Sequence, residues 1–255
     1  MKTNHLKALL TTGQPARGAW LGIPSPASAR LLARLPLDWL VIDTEHSPID
    51  VQTLQLMVAA ISEASGPAPI VRLSQATLEN IKHALDSGAY GIIAPMINTP
   101  EEAAQVVDWA KFPPQGQRSF GSAYAGLTFG LSMPEYLRSA NEQTLVGIQI
   151  ESVNALEHLD AIFDVKGIDL VFVGPVDLSV SLGLEPLAEN PDPAFQRALN
   201  RIIGSACPHR LPLGIFCSNG KAAAMRLQQG FQFVNVASDT GGLVRFVQSE
   251  LDSSL

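Results

Sequence analysis

The stretch DWLVIDTEHSPIDVQTLQLMVAAISEA, residues 38–64, contains the unit from which the fold is predicted. It opens on a short apolar run, DWLVID (38–43), and closes on an amphipathic pattern from Asp50 to Ala64. Such a run followed by a 3.6-residue pattern indicates a buried strand and then a helix. Between the two lie Asp43, Glu45 and His46, so the unit also places ionisable side chains where its strand ends.

The same unit recurs along the whole chain, with amphipathic stretches between the apolar runs and a glycine at the end of several of them. Eight strand and helix units in 255 residues predict an α/β protein with a (β/α)₈ TIM barrel rather than an open doubly wound sheet. The predicted strands are GAWLGI (18–23), DWLVID (38–43), APIVRL (68–73), YGIIAP (90–95), VGIQIE (146–151), DLVFVG (169–174), LGIFC (213–217) and QFVNV (232–236).

Composition predicts one cytoplasmic domain over residues 1–255 and excludes several classes of partner. The net charge of −7 provides no positive field for nucleic acid or an anionic membrane. We find no signal-peptide pattern and no apolar run long enough to span a membrane. Two cysteines are too few for a disulfide framework, and neither has partners for a zinc site.

The longest interval between predicted strands contains FPPQGQRSFGSAYAGLTFGLSMPEYL, residues 112–137. An excursion of this length is usually either a functional loop or disordered. Its aromatic residues favour an ordered, extended active-site loop at the mouth of the barrel.

Ionisable and amide side chains gather at the predicted carboxyl ends of the strands, where (β/α)₈ barrels carry their chemistry. Besides the residues after strand two, Arg72 ends strand three, and Asp177 follows strand six. Gln149 and Glu151 are two apart in strand five and therefore share a face. Any one of these could serve only as a helix cap or a salt-bridge partner. Together they predict a catalytic site.

Glu151 and Asp177 come from neighbouring strands, so they are candidate ligands of a divalent cation. Two carboxylates without cysteine or clustered histidine favour Mg²⁺ or Mn²⁺ over structural zinc. The alternative is that both acids serve helix starts. None of the six lysines falls in a predicted strand, which favours a metal route over a Schiff base.

The histidine after strand two is the candidate general base. Imidazole is the side chain best suited to general-base catalysis near neutral pH, and Asp43 could orient the ring of His46. Arg72 could stabilise the negative charge of an enolate, with a salt bridge to Asp43 or Glu45 as the alternative. For Glu45 a structural role is favoured over metal binding.

The stretch LDWLVIDTEHSP, together with VRLS, APMINTPEEA, PPQGQRSFGSA, QIESVNALEHLDAI, GIDLVFVGPVDLSVSLG and ASDTGGL, closely resembles the HpcH/HpaI aldolase family over roughly residues 6–250. The resemblance implies a barrel of the phosphoenolpyruvate/pyruvate type that reversibly cleaves 4-hydroxy-2-oxo acids to pyruvate and an aldehyde, with Mg²⁺, Mn²⁺ or Co²⁺ as cofactor. It further implies a role in aromatic or sugar acid catabolism. The expected assembly is a hexamer, a trimer of dimers, with the C-terminal helix exchanged between subunits.

The resemblance also assigns roles to individual residues. It implies that Glu151 and Asp177 bind the metal, that Arg72 contacts the keto oxygen, and that His46, paired with Asp43, is the base.

The remaining assignments concern the substrate. The turn of Gly174, Pro175, Val176 and Asp177 would bind the pyruvate carboxylate through backbone amides, Gln149 and Trp20 would line the site, and Asp86 would reach a neighbouring subunit's active site.

Two departures from the family pattern concern the acceptor. Gly126 lies where the heptanedioate enzymes carry an arginine for the far carboxylate, and Val176 replaces a smaller residue. The first change favours a neutral, hydroxylated or more hydrophobic aldehyde. Two alternative functions remain at this point: a CoA-thioester lyase of the citrate lyase β-subunit or malyl-CoA lyase type, and a non-catalytic barrel that binds a keto acid.

Overall fold

The computed structural model describes residues 3–64 and 66–254. In this part of the chain the strands are β1 (Ala16–Leu21), β2 (Trp39–Asp43), β3 (Ala68–Arg72), β4 (Gly91–Ala94), β5 (Leu145–Ile150), β6 (Leu170–Val173), β7 (Leu213–Ile215) and β8 (Phe233–Ser238). The helices are α1 (His5–Thr11), α2 (Pro26–Leu32), α3 (Val51–Glu63), α4 (Leu78–Asp86), α5 (Pro100–Ala110), α6 (Tyr124–Phe129), α7 (Met133–Gln143), α8 (Val153–Glu157), α9 (Leu159–Phe163), α10 (Pro175–Ser181), α11 (Pro193–His209), α12 (Gly220–Gln228) and α13 (Asp239–Ser253).

The strands form a closed barrel in chain order, and every neighbouring pair is parallel, including β8 with β1. The predicted (β/α)₈ barrel is therefore confirmed, and each predicted strand overlaps an observed one. Parallel strands need crossovers, and the helices between them bury the outer face of the sheet.

The barrel interior is filled largely by aromatic side chains. Trp39 stacks on Phe233 with their ring centroids 3.9 Å apart, and Phe172 contacts both Phe233 and Trp20. Aliphatic residues instead fill the layer between the strands and the helices. The packed interior leaves no channel through the barrel, so a ligand can bind only at one of its two ends.

Many polar residues after the strands are helix caps. The side chains of Asp50, Thr77, Thr99, Ser152 and Asn219 each accept a hydrogen bond from a backbone N–H in the first turn of the following helix. These residues satisfy N–H groups that the helix leaves free. The candidate catalytic residues have other contacts.

The segment 112–137 is ordered and lies at the N-terminal end of its own barrel rather than at its mouth, so its role as an active-site loop stays a prediction. The hydroxyl of Thr128 donates to the carbonyl of Gly88, and the hydroxyl of Tyr90 donates to the carbonyl of Thr128. Both partners lie just before β4, at the N-terminal end of the barrel. The reason is topological: the segment follows α5, which has returned the chain to the end where strands begin.

Helix α13 shows a large apolar surface in the single chain. Leu243, Val244 and Phe246 are more than half exposed, and Val247 and Leu251 are also exposed. Across residues 3–64 and 66–254, we find no helix with both the length and the apolarity that a membrane crossing requires.

Candidate active site

The strand register brings Arg72 against Asp43, because these two residues are direct partners in the pairing of β2 with β3. The Nε of Arg72 donates to Oδ1 of Asp43 at 2.9 Å, and its Nη2 donates to Oδ2 at 2.7 Å. Nη1 of Arg72 lies 3.2 Å from Oε2 of Glu45, and the guanidinium lies 4.6 Å from the centroid of the Trp20 ring. The ion pairs weighed for Arg72 as an alternative are thus present, and they fix its guanidinium in one position.

Asp43 does not orient the ring of His46 in the predicted way. Its Oδ1 accepts hydrogen bonds from the backbone N–H groups of Glu45 and His46, at 3.1 and 3.3 Å, while Arg72 occupies both carboxylate oxygens. The imidazole Nε2 of His46 instead lies 3.9 Å from Oε2 of Glu45. The acid beside the candidate base is therefore Glu45, and Asp43 shapes the turn and holds the arginine.

Glu45 lies at the centre of the charged residues at the mouth. Burial raises the pKa of its carboxyl group; Arg72 opposes the rise, and the carboxylates of Asp43 and Asp177 add to it. The sequence left Glu45 without a defined role, whereas the structure places it between Arg72 and His46.

Glu151 is the most buried acid at the mouth, with 2% of its surface exposed. Its Oε1 accepts from the backbone N–H of Met96 at 2.8 Å, and its Oε2 accepts from the side-chain amide of Gln149. Burial raises the pKa of Glu151 to about 7; the two hydrogen bonds oppose the rise, and Asp177 and Glu45 add to it. A neighbouring cation would compensate for this cost and keep the carboxylate ionised.

Gly174 makes room for that carboxylate. A Cβ atom at this position would lie 2.1 Å from Oε2 of Glu151 and 3.0 Å from the amide nitrogen of Gln149. No side chain fits there without displacing the acid, so the glycine at the end of β6 is part of the site.

Met96 is a residue of the site that the sequence did not reveal. It follows β4 with φ of +54°, in the left-handed region that non-glycine residues seldom adopt, and its N–H reaches Glu151. Such a conformation costs about 1 kcal/mol or more and is often found at functional sites. The available signal was its place after a strand, in APMINTP, but its contribution comes from the backbone and leaves no trace in side-chain chemistry.

His46, Arg72, Gln149 and Asp177 line a cavity of about 300 Å³ at the carboxyl end of the barrel, whereas Asp43, Glu45 and Glu151 are not part of its lining. The indole N–H of Trp20 and Oε1 of Gln149 are buried there without a hydrogen-bond partner in the described residues. Buried polar atoms without partners are costly, so a substrate that supplies partners would gain from binding. The lining residues are Trp20, His46, Arg72, Gln149, Phe172, Gly174, Pro175, Val176, Asp177 and Phe216.

Asp86 is the one predicted site residue that lies elsewhere in this chain. It ends α4 near the N-terminal end of the barrel, where Nη2 of the buried Arg118 donates to its Oδ1 at 2.9 Å. Ser122 also donates to its backbone carbonyl. The cavity of its own barrel therefore forms without Asp86.

The donor set fits a hard divalent cation with open positions. Glu151 is buried, Asp177 lies in the first turn of α10, and the carboxylate of Asp177 adds to the raised pKa of Glu151 and of Glu45. Within the described ranges, no three His, Cys, Asp or Glu side chains gather as a closed metal site requires. Two carboxylates would leave the remaining positions to water and substrate oxygens, as Mg²⁺ sites commonly do.

Comparison with known proteins places this geometry in a family. The family model of HpcH/HpaI aldolase/citrate lyase matches residues 17–245. A hydroxypyruvate/pyruvate aldolase from Rhizorhabdus wittichii is 40% identical over 237 residues, which is 92% of each chain. A 4-hydroxy-2-oxo-heptane-1,7-dioate aldolase from Escherichia coli is 39% identical over 247 residues, covering 96% of this chain and 93% of the relative.

A solved structure gives the same answer for the fold. An HpcH/HpaI aldolase/citrate lyase family protein from Burkholderia cenocepacia superposes with a TM-score of 0.91 at 33% identity, over 99% of both chains. The barrel, the site and these relatives together show that the chain belongs to the HpcH/HpaI aldolase/citrate lyase family and is a carbon–carbon lyase of the aldolase type.

Proposed function

We propose that the protein is a divalent-metal-dependent aldolase that reversibly cleaves a 4-hydroxy-2-oxo acid to pyruvate and an aldehyde. The observation that carries this proposal is the buried carboxylate of Glu151 beside Asp177, in the same mouth as Arg72 and His46. Mg²⁺, Mn²⁺ and Co²⁺ are the candidate ions. The names of the relatives support the pyruvate product.

The pyruvate half of the substrate would bind between β3 and β6. Its carboxylate faces the N–H groups of Val176 and Asp177 in the turn that Gly174 and Pro175 begin, and the guanidinium of Arg72 faces its keto oxygen. A bound divalent ion would supply further positive charge to the keto and carboxylate oxygens. The unpartnered atoms of Gln149 and Trp20 lie in the same space.

The cleavage step needs one base and one anion site. His46 accepts the proton of the C4 hydroxyl; the C3–C4 bond breaks as the aldehyde carbonyl forms, and its electron pair becomes the pyruvate enolate. Arg72 stabilises that charge, which is absent from the substrate, so its effect falls on turnover. Return of a proton to C3 yields pyruvate. Glu45, beside the ring of His46, would stabilise its protonated form.

We further propose assembly as a hexamer, a trimer of dimers, with exchange of α13 between subunits. The exposed apolar face of α13 supports this proposal, as does an apolar cavity of about 340 Å³ between α2 and the start of α13. In such an assembly Asp86 would approach the mouth of a neighbouring barrel. A cytoplasmic location remains the expectation from sequence.

The test is pyruvate release from a panel of 4-hydroxy-2-oxo acids before and after treatment with EDTA. We expect chelation to lower the rate at least about a hundredfold, because the enolate charge loses its main stabilisation, and added Mg²⁺, Mn²⁺ or Co²⁺ to restore it. Glu151→Ala should stay inactive with every ion. Glu157→Ala, an exposed acid on α8, is the matched control and should behave as wild type.

Activity that survives both chelation and Glu151→Ala would remove the metal from the mechanism. CoA thioesters tested beside the panel address the lyase alternative, and their cleavage without pyruvate release would replace the aldolase proposal. Absence of turnover with intact pyruvate binding would indicate the non-catalytic barrel.

A further inference from the structure

Part of the cavity wall is apolar. Trp20 and Phe216 meet edge to face with their centroids 5.9 Å apart, Trp20 also packs on Phe172, and Val176 completes the wall at the rim. Phe216 is half-buried and lines the cavity. With pyruvate held by Arg72 and the turn at Asp177, the part of a substrate beyond C4 would extend along this apolar wall.

The charge at the mouth is negative before any substrate enters. Asp43, Glu45, Glu151 and Asp177 are four carboxylates, and Arg72 is the one arginine or lysine among the residues that line the cavity. Arg72 is already paired with two of the acids. Even with a divalent ion, three positive charges face four negative ones, and the pyruvate carboxylate adds another. A second substrate carboxylate would meet repulsion without a free cation.

Within the segment 112–137 no arginine or lysine is free to pair with such a carboxylate. Arg118 is its only arginine or lysine, and the side chain of Arg118 is buried and paired with Asp86. Gly126 has no space for a side chain, since a Cβ there would lie 2.7 Å from the carbonyl oxygen of Leu131. The exposed side chains of the segment include Phe120, Tyr124 and Leu127, none of which carries a charge.

We propose, as a refinement that rests on the proposed aldolase function, that the acceptor aldehyde is uncharged, either aliphatic or hydroxylated, and that Phe216 helps to determine this specificity. The unpartnered indole N–H of Trp20 is a donor for a neutral oxygen on such an aldehyde. The apolar wall favours its carbon chain.

The experiment compares two 4-hydroxy-2-oxo acids of equal chain length in the Mg²⁺-loaded enzyme, one ending in a carboxylate and the other in a hydroxymethyl group. We expect kcat/KM for pyruvate release to be at least about tenfold higher for the neutral substrate. Raising the salt concentration should narrow the ratio, because screening weakens the repulsion of the charged one.

The variant Phe216→Arg places a cation on the apolar wall and should lower that ratio at least about tenfold. Leu56→Arg, at an exposed position on α3 far from the mouth, is the matched control for added charge and should leave the ratio unchanged. Circular dichroism checks that both variants fold. If Phe216→Arg does not fold, Phe216→Gln serves instead and should lower kcat/KM for aliphatic substrates selectively.

The two proposals fail in different ways. Equal or better use of the carboxylate substrate by the wild type overturns the inference on specificity and leaves the aldolase function intact. If Phe216→Arg and Leu56→Arg change the ratio of kcat/KM values equally, Phe216 does not determine the specificity. No pyruvate from either substrate, with metal present, counts against the proposed function itself.

Discussion

Each end of the barrel holds a basic side chain paired with carboxylate, yet the two clusters differ in which polar atoms remain unpaired. At the mouth Arg72 lies between Asp43 and Glu45. At the N-terminal end Lys111 donates to the carbonyls of Asn141 and Thr144, at 2.7 and 3.0 Å, and its Nζ lies 3.8 Å from Asp169. The Lys111 cluster, which consists of Lys7, Lys111 and Asp169, is satisfied by the protein itself.

At the mouth of the barrel, not every buried polar atom has a hydrogen-bond partner within the protein. Trp20 and Gln149 each keep a buried polar atom without a hydrogen-bond partner among the residues described. Asp169, by contrast, accepts from the ammonium group of Lys7 and from the backbone N–H of Val146, both at 2.9 Å. The difference teaches that buried charge alone does not mark a catalytic site. Unpaired atoms that face a cavity do.

The largest effect is expected for Arg72→Lys, which changes the cation at the mouth and leaves the Lys111 cluster unchanged. An ammonium group cannot hold both oxygens of Asp43 and also face the substrate, so the enolate charge is poorly stabilised. We expect kcat/KM to fall about 10² to 10³-fold, with a loss of about 1–2 kcal/mol in the free energy of unfolding. Steady-state kinetics and urea unfolding measure the two quantities.

The control for this change is Arg30→Lys, in an ion pair with Glu63 that is more than half exposed at both side chains. Exposed ion pairs contribute little to stability, so the free energy of unfolding should stay within about 0.5 kcal/mol of wild type. The value of kcat/KM should not change. If Arg72→Lys loses stability but not turnover, the charged residues at the mouth have only a structural role, as those of the Lys111 cluster do.

A smaller effect is expected for Gly174→Ala. The added methyl group occupies the place of Oε2 of Glu151, so the carboxylate must move from its present position. We expect kcat to fall about a hundredfold, since a displacement of about 1 Å can have that effect on a catalytic group. Titration with Mn²⁺ should show weaker metal binding.

Gly204→Ala is the matched control, because Gly204 lies within α11 with nothing near its missing side chain. It should keep full activity and gain about 0.5–1 kcal/mol in the free energy of unfolding. Equal activity of both variants would remove Gly174 from the site.

The sequence was sufficient for the barrel, because strand and helix periodicities are local and eight units of this size close in one way. It also predicted the positions of Asp43, Arg72 and Glu151 at the ends of their strands, which is where the structure has them. Residues whose contribution depends on backbone conformation escaped it: the left-handed turn at Met96 follows from the surrounding structure and not from methionine.

Pairing among the polar residues could not be read from their spacing either. Asp43 precedes His46 by three residues, which suggested a contact, but the register places Arg72 nearer, and a guanidinium takes both oxygens. The place of the segment 112–137 was also missed, because its composition resembles that of a functional loop. The preceding helix, not its composition, determines the end of the barrel to which it returns.

The last expected effect falls on stability alone and tests the Lys111 cluster through its pH dependence. Burial lowers the pKa of Lys111 from its usual 10.5 to about 8, although Asp169 opposes the shift. Between these two values the unfolded chain binds a proton that the folded chain has lost, so this lysine makes stability rise with pH across that window, by up to about 3 kcal/mol. Below pH 8 both states are protonated and its contribution is constant.

Lys111→Met should therefore flatten the rise in unfolding free energy between pH 8 and 10, and Lys111→Arg should do the same because it stays charged. Lys221→Met, at an exposed position, should keep the wild-type slope. If Lys111→Met and Lys111→Arg both retain the full rise in unfolding free energy, another group causes it, and Lys111 is not the group that titrates at the N-terminal end of the barrel.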